Sequence, residues 1–477
     1  MSQNQTLSNS SPKKGFSLGL QPPQAWAAIL GLVVLTAVSV LLGAGIMRPV
    51  LVVASWAVGV FLYRRYPILY LGFTWWMWFI TPLVGRLIDY RSGWEPLRLL
   101  LVSQYLVTLV TLPNFLKHLP RLLLHRKEGL PFALAFLGVL YGFLIGLIQT
   151  SPIAVGRGLL DWLTPILFGF HLFVNWRDYP DYRQNIQRVF LWGVLVTGVY
   201  GVVQYLVAPQ WDRLWLISTQ LTSFGDPEPF KLRVWSTMSS PGPFAVMMMA
   251  GLLLLFNSKG ALTIPAAGAG YLAFLLSMVR TLWGAWFLGV VTLLSSLKAH
   301  LQMRLFISIL VIALCVIPLT TLQPFSNTIT TRLQTFSNLE KDDSASVRKQ
   351  IYADGLHRAL TNGLGNGIGN AFIVKNGQLE PIVIDSGILE LFFTLGWFGG
   401  IPYLGGMLLI LYNLFQYSEF RFDPFMAAAR AIGISSFMTL PGGSAMLGFS
   451  GLVLWSFIGI AIAGHKYHQH QRTDQKG

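Results

Sequence analysis

The chain of 477 residues is 53% hydrophobic and 13% aromatic but only 11% charged, with a formal net charge of +15. Uncharged runs such as AWAAILGLVVLTAVSVLLGAGI exclude a water-soluble globular fold and indicate a polytopic membrane protein, because a spanning helix needs about 20 mostly apolar residues. The single cysteine, Cys315, lies in an apolar run, which excludes an intrachain disulfide and a thiolate metal cage, and the net charge is a topology signal rather than a mark of nucleic-acid binding.

Residues 1–24 are rich in Ser, Asn, Gln and Pro and lack the apolar core and cleavage site of a secretory signal. They read as a disordered cytoplasmic tail, with the first apolar run as an uncleaved anchor. Apolar runs then fall near 26–43, 47–63, 67–84, 98–116, 130–149, 158–175, 188–207, 241–256, 261–278, 281–297 and 304–321. After a long polar interval they resume near 385–398, 401–416, 426–440 and 447–464. The spacing predicts an all-α, polytopic membrane helix bundle of about 12–14 spans with a helical external loop. N-terminal spans occupy 25–232, a central region covers 233–405 and includes the external loop 322–384, C-terminal spans occupy 406–464, and 465–477 form a basic tail.

Lysine-rich loops, with Lys13, Lys14, Arg64, Arg65, Lys117, Arg126 and Lys127, alternate with loops whose cations are nearly all arginine: Arg48, Arg86, Arg91, Arg98, Arg157, Arg213, Arg233 and Arg280. The positive-inside rule places both termini in the cytoplasm and 322–384 outside. Arginine forks onto phosphate and cannot lose its charge, although each of these residues could equally anchor a helix end at the headgroups. Because the basic tail must return inside, one of the last four apolar stretches cannot cross. The shortest is 385–398, whose reach is about 21 Å against a hydrocarbon core of about 30 Å. It carries Glu390, which suits a half-helix lining a site.

Within the polar interval, Asp342 and Asp343 precede SASVRKQIYADGLHRAL, an N-cap signal followed by helix formers. Arg348 and Tyr352 share a face of that helix. Gly363, Gly365, Gly367 and Gly369 follow where the helix should end and backbone could approach a ligand, or where a surface loop needs freedom. LGNGIGN has no P-loop lysine. Asp385 fits either an N-cap of the next helix or a general base. Asp161, Glu390 and Arg430 are the main ionisable residues inside apolar runs, and a bundle hydrogen bond would account for Asp161.

Four stretches, RVWSTMSSPGPFAVMMMAGLLLLF, LLSMVRTLWGAW, SVRKQIYADGLHRALTNGLGNGIGNAF and DSGILELFFTLGWFGG, occur in the order and spacing of the bacterial O-antigen ligase and polymerase superfamily, which this chain resembles over about 233–405. Ser277-Met278-Val279-Arg280 matches the family's arginine at an outer helix end. Arg348 matches the loop arginine ahead of a Gly-x-Gly turn. Asp385-Ser386, followed after nine residues by Gly396-Trp397-Phe398-Gly399, matches the ligase histidine motif with aspartate in place of histidine.

That resemblance implies a polymerase of surface polysaccharide in the bacterial plasma membrane. It would transfer glycan from a polyprenyl-diphosphate-linked oligosaccharide to a saccharide acceptor, in contact with membrane lipid and with a chain-length regulator as a further partner. Arg280 and Arg348, helped by Arg233 and Arg332, would hold the diphosphate without a metal or cofactor. Asp385, or Glu390 second, would take the acceptor proton. Tyr352, Gly363, Gly365 and Gly367 complete the expected substrate-binding set. The alternatives are an O-antigen-type ligase or protein O-oligosaccharyltransferase, and a bicarbonate-type small-anion transporter.

Overall fold

The apolar runs form helices in the computed structural model, which describes residues 22–43, 45–125, 129–258, 260–299, parts of 302–310, 356–357, 361–370, 372–375, 378–381 and 386–475. In chain order these are α1 (Pro23–Leu42), α2 (Met47–Arg65), α3 (Pro67–Ser92), α4 (Val102–Leu109), α5 (Leu112–His125), α6 (Leu130–Gln149), α7 (Pro152–Val174) and α8 (Tyr179–Val207). Then come α9 (Gln210–Thr219), α10 (Pro241–Leu255), α11 (Thr263–Leu276), α12 (Arg280–Ser296), α13 (Gly387–Gln416), α14 (Pro424–Met438) and α15 (Gly448–Asp474). Prolines open α1, α3, α7, α10 and α14, where the missing N–H costs nothing and φ is already helical. The protein is an all-α polytopic helix bundle. Among the described residues, nine helices are long and apolar enough to cross a membrane, and α10 and α11 are shorter apolar helices. The described part of the polar interval also holds a two-stranded antiparallel ribbon, β1 (Phe372–Lys375) with β2 (Gln378–Pro381), pairing Phe372 with Pro381.

Lipid tails are as apolar as leucine, so these helices associate by close fit rather than by escape from water. Glycines supply the fit. Gly138, Gly142 and Gly146 repeat along one face of α6, and a methyl group on Gly138 or Gly146 would collide with the backbone at Gly399 or Ile368. Gly169 of α7 and Gly459 of α15 meet the same way. Gly448–His465 is buried throughout, which makes α15 the central post of the bundle. Around it Trp75, Phe79, Phe168, Phe190 and Phe457 pack edge to face. At the periphery Leu41 and Leu42 are 72% and 74% exposed, as expected of a lipid-facing α1.

The last three helices run alternately between two faces of the bundle. Gly387, the start of α13, donates its N–H to the Gly443 carbonyl at 3.1 Å, beside the end of α14 and the start of α15. At the other face Glu419, just beyond α13, pairs with His465 and Arg472 near the end of α15. Asp423, which caps α14, meets Tyr179 and His468 there. The stretches 385–398 and 401–416, expected as separate segments, are one helix interrupted at Gly396, whose φ of 61° and ψ of −169° are not helical. Three helices therefore follow the polar interval among the described residues, and two of them, α13 and α15, are long and apolar enough to cross a membrane. On the face that holds His465 lie also the start of α1, through the Tyr66–Gln24 hydrogen bond of 3.3 Å, and Trp176, packed on His470.

Candidate functional site

Between α11 and α12 the chain breaks for three residues, and the break is built rather than loose. Met278 has a φ of 54° and the N-cap Val279 is non-helical, so α12 restarts with Arg280 as its first residue. Arg233 holds this turn. Its Nε donates to the Ser277 carbonyl at 3.2 Å, its Nη2 to the Met278 carbonyl at 3.3 Å, and its Nη1 to the Ser223 carbonyl at 3.2 Å. Arg233, expected to help hold substrate, is engaged in the structure with the carbonyls that end α11, a natural place for a cation.

The segment before α10 is held by a second arginine. Arg86 is 1% exposed and its Nε lies 3.1 Å from Asp212 Oδ1, while its Nη1 and Nη2 donate to the carbonyls of Met238 and Ser236 at 2.9 and 2.5 Å. Tyr200 and Gln204 donate to the other Asp212 oxygen at 2.8 and 2.9 Å, and Gln204 Oε1 accepts from the amides of Trp235 and Ser236. Burial pushes the Asp212 carboxyl above the ordinary carboxylate range, against the pull of Arg86 and the Gln204 and Tyr200 hydrogen bonds.

These two clamps frame a cavity of about 510 Å³. Its mouth passes the exposed Thr281, Gly442 and Ser444. One wall is made where helices begin: Gly242 and Pro243 of α10, Thr281 and Leu282 of α12, and Gly448 to Ser450 of α15. Helix N-termini carry unpaired N–H groups and the positive end of the helix dipole, so this wall favours anions. A second wall is Trp78 of α3, Gln104 and Tyr105 of α4 and Asp161 of α7, and it meets the first at Gly448. Tyr105 donates its hydroxyl proton to Asp161 Oδ1. Ser444 of the mouth lies near Glu390, whose Oε2 is buried without a partner among the described residues.

The expected site residues divide into three groups. Arg280 and Glu390 do not themselves line this cavity but lie next to residues that do: Arg280 stands between Val279 and Thr281 in the chain, and Glu390 lies near Ser444. Gly365 and Gly367 wedge the 363–370 turn between α6, α7 and α13, and Gly363, at the start of that turn, accepts the Trp397 N–H at 2.9 Å. Gly365 and Gly367 have φ of 78° and 76°, and the N–H groups of Asn366, Gly367 and Ile368 donate to the carbonyls of Phe393, Thr394 and Gly142 at 2.8 to 2.9 Å. Close backbone approach is required there, and the groups approached are the backbones of α6, α7 and α13. Arg332, Arg348, Tyr352 and Asp385 lie outside the described residues. The cap considered for Asp385 is made by its neighbour, since Ser386 Oγ accepts the Leu389 N–H at 3.4 Å.

Sequence reasoning did not single out Trp78, Gln104 or Tyr105, and it read Asp161 only as a bundle hydrogen bond. A carboxylate inside the apolar run of α7 was the available signal for this wall. For the Arg86–Asp212 clamp the signal was an arginine near the end of one apolar run and an aspartate beside Trp211 just after another. No protein-family model matches the chain, and no curated protein or solved structure does either.

Proposed function

We propose that this protein is a lipid-linked glycan transferase of the polysaccharide-polymerase type, acting at the outer face of the bacterial plasma membrane with both termini in the cytoplasm. The observation that carries the reading is the cavity between the helix N-termini and the carboxylates, at the bundle face where Arg280 begins α12. A diphosphate suits the N-terminal wall and Arg280. A sugar suits the remaining volume, and the polyprenyl tail suits the apolar flank of the bundle. In transfer, the acceptor oxygen bonds to the anomeric carbon and the bond to the diphosphate breaks. The electron pair leaves with the diphosphate, and a carboxylate takes the acceptor proton. Arg348 as a second diphosphate ligand and Asp385 as the base, with Glu390 second, enter on sequence spacing. A chain-length regulator is the partner such a polymerase would need.

The decisive experiment complements a deletion strain with Arg280→Ala and Arg280→Lys and displays its surface polysaccharide. Arg280→Ala is expected to abolish polymer while protein stays in the membrane, and Arg280→Lys to shorten it, since an ammonium cannot fork onto two oxygens. Wild-type chain lengths in Arg280→Ala would overturn the diphosphate role. A second reading, a small-anion carrier, is favoured by the interrupted α11–α12 and α13 helices beside buried carboxylates. It predicts unchanged polysaccharide and lost anion uptake in the deletion strain.

A further inference from the structure

The wall made by α3, α4 and α7 has a chemistry different from the wall of helix N-termini. Trp78 is 3% exposed, and its Nε1–H is committed to Thr108 Oγ1 at 3.0 Å, which fixes the indole against the edge of Tyr105 with ring centroids 4.8 Å apart. Gln104 adjoins Tyr105 at the start of α4, and the Tyr105 hydroxyl donates to Asp161 Oδ1, which orients that carboxylate. Gln104 is 5% exposed with its Oε1 buried and unpartnered, and no described residue donates to Asp161 Oδ2.

The close approach of α15 keeps this corner open. Gly448 has a φ of 50°, and a side chain there would begin 3.2 Å from Asp161 Oδ1. A residue with a Cβ would therefore be strained and would crowd the carboxylate. What remains is a fixed aromatic ring beside two acceptor oxygens with no donor assigned to them. A ligand that satisfies both needs an apolar face and at least two hydrogen-bond donors, whereas a phosphate, which has neither, is repelled by Asp161. Neutral pyranoses have this character, with C–H faces for the ring and neighbouring hydroxyls for the oxygens.

We propose that Trp78, Gln104, Tyr105 and Asp161 form a saccharide-binding subsite that receives the acceptor's hydroxyl-bearing terminal sugar, beside the wall that takes the diphosphate. The subsite itself follows from the wall's chemistry; its designation as the acceptor side rests on the transferase reading. Asp161 and Gln104 are positioning residues that set the acceptor's orientation.

The test uses the full-length protein in nanodiscs, with methyl glycosides of neutral hexoses as one probe and inorganic diphosphate as the other, both followed by saturation-transfer NMR. Wild-type protein is expected to bind both probes. Asp161→Asn and the near-isosteric Gln104→Met should each weaken glycoside binding by about tenfold, the factor that about 1.4 kcal/mol represents, and leave diphosphate binding unchanged. Arg280→Ala should do the reverse. Tyr105→Phe, which keeps the ring but frees Asp161, should weaken glycoside binding less. Glycoside binding that is absent in wild type, or equal in wild type, Asp161→Asn and Gln104→Met, would overturn the subsite. If glycoside binding is lost in Asp161→Asn while the deletion strain carrying it makes normal polymer, the subsite stands and the transferase reading falls.

Discussion

At the scale of single residues, arginine is the instructive type. The surplus of arginine over lysine on one set of loops suggested phosphate ligands or headgroup anchors, yet several are engaged with protein carbonyls at helix ends. Arg233 ends α11, Arg86 holds the segment before α10, and Arg213 donates to the carbonyls of Val207 and Ala208 at the end of α8. A planar fork with five donors satisfies several carbonyls at once, which an ammonium on a flexible stem does less well. The Arg86–Asp212 pair is the most deeply buried of these. Arg86→Met should leave the buried Asp212 without its counter-charge, lowering stability by about 3–5 kcal/mol, with much of the loss recovered in Arg86→Met/Asp212→Leu. Thermal unfolding in detergent measures both, and a single variant as stable as wild type would show that the pair is not a clamp. Asp385 gives a lesson in adjacency: an N-cap was legible at the start of α13, but Ser386 makes it, and residue type alone did not separate the two neighbours.

At the scale of elements, the interruption of α13 is the central feature. The shortness of 385–398 and the presence of Glu390 marked a half-helix, and the break at Gly396 falls within that stretch. Its neighbour was not legible. When Gly396 leaves helical geometry, the carbonyls of Phe393 and Thr394 lose their intrahelical partners, and the amides of Asn366 and Gly367 replace them. The glycines of LGNGIGN are thus explained by a distant helix. Gly367→Ala places a methyl into the backbone of Gly146 at a φ of 76°. Overpacking costs about 1–3 kcal/mol and a left-handed alanine about 1–2 kcal/mol more. The expected result is a protein that melts earlier and yields cleavage at 361–370 under limited proteolysis. An unchanged melting temperature would mean that the turn does not wedge these helices.

At the scale of the molecule, the two faces of the bundle differ in kind. One holds the cavity; the other is laced by ion pairs that tie the end of α15 to the turn between α13 and α14. Burial acts to raise Glu419, but hydrogen bonding from His465 and the nearby charges of His465 and Arg472 hold it below its ordinary range. Asp423 is likewise held down against burial by His468, Tyr179, the Met426 amide and Arg183. A depressed carboxylate stabilises the fold fully above its unfolded pKa of about 4 and loses that contribution as pH falls through the folded value. Wild-type protein in detergent should therefore lose melting temperature below about pH 4, and Glu419→Gln should start lower at pH 6 and converge with wild type in acid. A gap between the two curves that stays constant with pH would refute the linkage.

Composition and hydropathy determined that this is a helical membrane bundle. That outcome depends on the free-energy cost of polar groups in hydrocarbon, which is imposed residue by residue along the chain. The cavity and its two chemically distinct walls were decided only by the tertiary structure. Trp78, Gln104, Asp161, Thr281 and Ser444 come from five distant parts of the chain, and what makes them a site is which helices the glycine seams allow to touch. That depends on shape complementarity between helices, a property of pairs of surfaces that no single stretch of sequence contains.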